Sequence, residues 1–163
     1  MISFFAKQKK AKFAKIWQPL IHKAKTQLLL ENELPHIKKR DVWLFIEEWN
    51  VQYEQSNAEE KTGLAVLAYR LNIHRYAAAM LINGKSNIRL SGVVLLGHMG
   101  DESAWPLLKS LINDNQQKIA QAAFTALKQI NSGRVVREAE STVNTSTNAS
   151  VDRDINQQLN IKT

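Results

Sequence analysis

The chain has 163 residues, a net charge of +7 and no cysteine. That length suits one domain with a core of its own, and 44 % hydrophobic beside 23 % charged residues is the balance of a globular protein. Without cysteine, disulfides and thiolate metal sites are excluded and a reducing, intracellular setting is expected.

The charge is unevenly placed. Residues 1–40 carry ten Lys and Arg against Glu31 and Glu33, a surplus of +8, whereas the rest of the chain has twelve against thirteen acids. Such asymmetry predicts an acidic partner surface, phospholipid or nucleic acid. No apolar run approaches the ~20 residues of a bilayer-spanning helix. Residues 1–6 are apolar but too short for a signal-peptide core, and lysines follow where cleavage would occur. A soluble or peripheral protein is expected.

Within residues 2–30, Phe5, Phe13, Ile16, Trp17, Leu20, Ala24 and Leu28 mark an apolar helical stripe. From Phe13 onward this stripe is expected to pack on the rest of the chain. The first part is crowded by Lys7, Lys9, Lys10, Lys12 and Lys15, a candidate contact for an anionic membrane or another acidic partner. Next, Val42, Phe45, Ile46, Trp49 and Tyr53 share one face of a helix over 39–55, with Trp43 off it. An aromatic stripe at this spacing reads as core, here a helix capping a stack, ahead of an aromatic binding groove.

Residues 58–131 carry an internal repeat. Ile88, Ser91, Gly92, Leu95, Leu96 and Met99 recur in spacing as Ile119, Ala122, Ala123, Ala126, Leu127 and Ile130, 31 residues later. Small residues at matching places let a neighbouring helix approach. Leu81-Ile82-Asn83 recurs as Leu111-Ile112-Asn113, and Asn83-Gly84 and Asn113-Asp114 then end helices, with the left-handed backbone such termini often adopt. A weaker copy of the first helix lies over 59–71. Between the copies, Asp101-Glu102-Ser103 caps a helix over 104–112, with Pro106 in its first turn. Helix pairs repeating every 30–45 residues read as a solenoid. The tail 132–163 is rich in Ser, Thr, Asn and Gln and is expected to be disordered.

Signals for chemistry are weak. His22, His36, His74 and His98 have no metal-ligand spacing, so no metal or other cofactor is expected. His98 falls at a helix C-terminus, which favours a charged imidazole. The acidic pairs Glu59-Glu60 and Asp101-Glu102 read as helix-start charges, and Glu47-Glu48 point about 100° apart. No nucleophile elbow or phosphate-cradling loop is present, and no enzyme activity is expected.

The stretch from Ile88 to Asp101, followed by Ala104-Trp105-Pro106-Leu107-Leu108 and Leu111-Ile112-Asn113-Asp114, resembles a HEAT-like repeat: a small-residue helix, a Leu-Gly-x-x-Gly-Asp turn and a Pro-Leu-Leu helix. More widely, Trp17-Gln18-Pro19-Leu20, Lys39-Arg40-Asp41 and Glu48-Trp49-Asn50 ahead of the repeats make residues 12–131 similar to a group of bacterial HEAT-repeat proteins. In that group a membrane-spanning helix precedes the Trp-x-Pro-Leu segment, and some members are encoded beside a membrane glycosyltransferase. The resemblance implies an all-α fold, a short α-solenoid of HEAT-like pairs with 1–57 capping the stack. It also implies that residues 1–6 are the stub of a lost membrane anchor, with the lysines after it as the cytoplasmic flank. The function expected is a non-catalytic protein–protein interaction scaffold, at the cytoplasmic face of the inner membrane. The alternatives are a nucleic-acid-binding helical-repeat protein, disfavoured by the near-neutral repeats, or an accessory subunit of a glycosyltransferase or lyase.

Overall fold

The computed structural model describes residues 4–133, and of Phe4, Phe5 and Glu31 the backbone alone. By contacts between Cα atoms the chain divides into Met1–Ile130 and Asn131–Thr163. The tail expected over 132–163 lies outside the described residues, except for residues 132 and 133, which are helical.

The described residues are all-helical, with no strand. The α-helices are α1 (Phe4–Ala24), α2 (Val42–Glu54), α3 (Ala58–Arg70), α4 (Ile73–Asn83), α5 (Ser86–Met99), α6 (Trp105–Ser110) and α7 (117–133, of which 131–133 belong to the second unit). Short 3-10 turns at Glu31–Glu33 and Lys39–Asp41 interrupt the link from α1 to α2.

Local chemistry accounts for the helix ends. Asn57 and Glu60 form a reciprocal capping box at the start of α3, with both hydrogen bonds at 3.0 Å. Asn72, at φ 55°, supplies the left-handed residue that turns α3 into α4. Gly100 does the same for α5 at φ 63°. There the Asp101 N–H reaches the Leu96 carbonyl and the Gly100 N–H reaches that of Gly97, a Schellman closure. Gly84 differs from expectation, because it leaves α4 in extended rather than left-handed backbone. It is required there because a Cβ would collide with the Met80 carbonyl. The helix expected over 104–112 is α-helical over Trp105–Ser110 and 3-10 at both ends. Asp101 Oδ1 accepts from the Ser103 N–H and hydroxyl, the chain enters through Glu102–Ala104, and α6 spans six residues before Leu111–Asn113 tightens again.

Helix α2 lies at the centre of the packing and touches α1, α3, α4 and α5. Val42, Phe45, Ile46 and Trp49 are fully buried, so the aromatic stripe is core and not an open groove. Trp49 donates its indole N–H to the Leu64 carbonyl at 2.9 Å, and the Trp17 and Phe45 rings meet edge to face at 5.1 Å. Two polar contacts tie α2 to α5: the Asn50 amide donates to the Ser91 carbonyl at 3.0 Å, and the Tyr53 hydroxyl to the His98 carbonyl at 2.7 Å. The repeat positions pack inward. Leu95, Leu96, Ile119, Ala123, Ala126 and Ile130 are buried. Glycines mark the crossings of α5 with α4 and α7. A Cβ at Gly92 would lie 3.2 Å from Leu81 of α4, and one at Gly97 would lie 2.7 Å from Ala126 of α7.

Candidate functional site

The five lysines lie on α1, and all are exposed. The helix has no acid in its first turn, and no Asp or Glu occurs in residues 1–30. Counting 100° per residue, Lys10 falls about 20° from the buried Trp17, Lys9 and Lys7 about 80°, and Lys12 and Lys15 about 140° and 160°. The ion pairs follow this geometry. Lys9 pairs with Asp41 of the turn before α2, and Lys10 with Glu47 of α2 at 2.9 Å, so both charges have partners at α2 or its entry. No described residue pairs with Lys7, Lys12 or Lys15. The lysine cluster is thus divided into two that fasten α1 to α2 and three that face water.

The apolar stripe of α1 packs inward, with a shift. Phe13, Trp17, Leu20 and Ala24 join the core. Ile16 is 56 % exposed and Leu28 71 % exposed, whereas Ile21, absent from the stripe read in the sequence, is fully buried. Ile16 lies about a quarter-turn from Trp17, and Leu28 follows the end of the helix at Ala24, where helical spacing no longer applies. Beyond that end, Lys23 bonds Glu33 at 2.5 Å and the Leu30 N–H reaches the other oxygen of Glu33 at 2.7 Å. Lys23 first, and then that N–H, hold the Glu33 carboxyl below the usual carboxylate range.

A second polar feature was not legible in the sequence. Tyr53, Glu54, Lys61, Gly97, His98 and Gln129 line a recess of about 300 Å³. The His98 ring stacks on Tyr53 at 4.6 Å, and its buried Nδ1 has no hydrogen-bond partner. Burial pushes the imidazole pKa below its ordinary value, Glu54 opposes this, and Lys61 adds to it. Desolvation therefore outweighs the helix C-terminus that would favour the charged form. Burial likewise raises the Tyr53 hydroxyl.

Among the described residues no group of His, Asp or Glu could hold a metal ion. No described helix is long and apolar enough to cross a membrane. Compared with models of known families, with curated proteins and with solved structures, the chain matches none.

Proposed function

We propose that the chain is a non-catalytic interaction scaffold that docks on the anionic cytoplasmic face of the inner membrane through the outward lysines of α1. The single observation that carries this reading is the split of the cluster: Lys7, Lys12 and Lys15 stand in water with no carboxylate in reach among the described residues. The buried stripe of α1 means that docking is electrostatic, with the helix lying on the headgroups rather than dissolving its apolar side among the acyl chains.

The scaffold part rests on helix pairing. Apart from α2 against α5, the main contacts run between helices adjacent or next-but-one in sequence, and glycines let α5 approach α4 and α7, which supports a short HEAT-like solenoid. Ile82, Trp105, Ile112 and Phe124 remain exposed on the repeat half and offer apolar contacts to a protein partner.

Sedimentation with phosphatidylglycerol-containing vesicles tests the reading. At ~1 kcal/mol per basic residue, replacing Lys7, Lys12 and Lys15 by Gln is expected to cut partitioning about a hundred-fold. Replacing each whole pair, Lys9 with Asp41 and Lys10 with Glu47, by neutral amides should reduce it far less, because the net charge is unchanged. Equal sedimentation of the wild type and the triple variant would overturn the reading. Salt-sensitive binding of DNA without vesicle binding would favour nucleic acid as the partner instead.

A further inference from the structure

The link after α1 leaves a groove of about 310 Å³ against α3, independent of the lysine face. Its apolar walls are Leu28, Leu29, Leu34, Val66 and Leu67. Gly63 brings α3 directly onto the end of α1, because a Cβ there would collide with the Ala24 carbonyl. Leu28 at 71 % and Val66 at 39 % exposure leave the groove's apolar surface facing water.

Charge is present beside this surface. Lys25 lines the groove and is only 8 % exposed, yet no described residue accepts a hydrogen bond from its ammonium. Arg70 lines it as well and donates to the Leu29 carbonyl. Glu59 is the one carboxylate among the lining residues, so the wall carries a net positive charge. An ammonium with no carboxylate partner beside an apolar groove can pair with a ligand anion.

We propose that this groove binds a single-chain anionic amphiphile, with its tail along Leu28, Leu29, Val66 and Leu67 and its carboxylate or phosphate on Lys25. The volume is at the small end for ligand cavities, which suits a medium-length acyl chain.

The test is a titration of the full isotope-labelled chain with decanoate below its micelle concentration, followed through backbone amide resonances. Saturable shifts are expected at Lys25, Leu28, Gly63, Val66 and Arg70, with affinity about ten-fold above that of decanol. Acetate should produce none. Lys25→Gln should lower decanoate binding to the decanol level. Val66→Trp, a change at a half-exposed position, should abolish binding while the α5 resonances stay in place. Equal binding of decanoate and decylammonium would overturn the proposal, as would full affinity in Val66→Trp or shifts scattered over the surface without saturation.

Discussion

Gly97 and Gly100 stand three residues apart in the chain and have opposite reasons for lacking a side chain. A Cβ at Gly97 would press on Ala126 and on the Gln129 side chain, whereas one at Gly100 would meet nothing, but its φ of 63° strains any other residue. Gly97→Ala is therefore expected to cost about 1–3 kcal/mol through overpacking, and Gly100→Ala about 1–2 kcal/mol through its backbone. Chemical denaturation measures both. Ala126→Gly should not rescue Gly97→Ala, because the Ala126 Cα itself would lie 2.7 Å from the new Cβ. His98 supplies a pH dependence at the same scale. Its folded pKa lies below the ordinary 6.5, so the unfolded chain takes up the proton first as pH falls. The stability it contributes is complete above about pH 6.5 and is lost as pH drops from there through the folded pKa. Urea midpoints in mildly acidic and neutral buffer should differ more for the wild type than for His98→Gln. Glu33 and Asp114, both lowered, contribute stability that is complete at neutral pH and is lost only as pH falls below their ordinary carboxylate values.

Helices were legible in this sequence where period and caps agreed. The stripes of α5 and α7 were read with their spacing, and both are buried, because straight helices in a core keep the 3.6-residue period. The start of α3 was also marked in advance by its paired glutamates, although the reciprocal bond from Asn57 appears only in the coordinates. Asn57→Ala should cost about 1 kcal/mol in thermal or chemical unfolding. The sequence was less reliable where a stripe was drawn too wide or carried past a helix end. Ile16 and Leu28 matched the pattern of α1 and are exposed, while Ile21 was passed over and is buried. Ile21→Ala should accordingly cost about 2–5 kcal/mol, and Ile16→Ser less than about 0.5 kcal/mol; the reverse order in denaturant midpoints would place the wrong face of α1 against α2. The 3-10 character around α6 was hidden as well, since i to i+3 bonding leaves the apolar spacing of so short a segment almost unchanged.

Across the first unit, one hydrophobic cluster runs from Trp17 of α1 to Ile130 of α7. The N-terminal helices and the repeat half share this core, with α2 against α5 as the principal join. Leu96→Ala, at the fully buried centre of α5, should cost about 2–5 kcal/mol. A fragment beginning at residue 58 should not give a cooperative unfolding transition, because removal of Phe45, Ile46 and Trp49 would expose the α2-facing side of the rest. The imbalance of charge between the two halves was plain in composition. Its division into paired and unpaired lysines was not, because Asp41 and Glu47 reach α1 only through the fold. The most direct measurement is the partitioning of the intact chain onto vesicles of rising phosphatidylglycerol content at low and high salt. Binding is predicted to climb with lipid charge, to collapse at high salt and to leave the chain's tryptophan emission unshifted, since Trp17 stays buried. Partitioning indifferent to lipid charge, or a Trp17 that moves into the acyl region, would contradict docking by the outer face of α1.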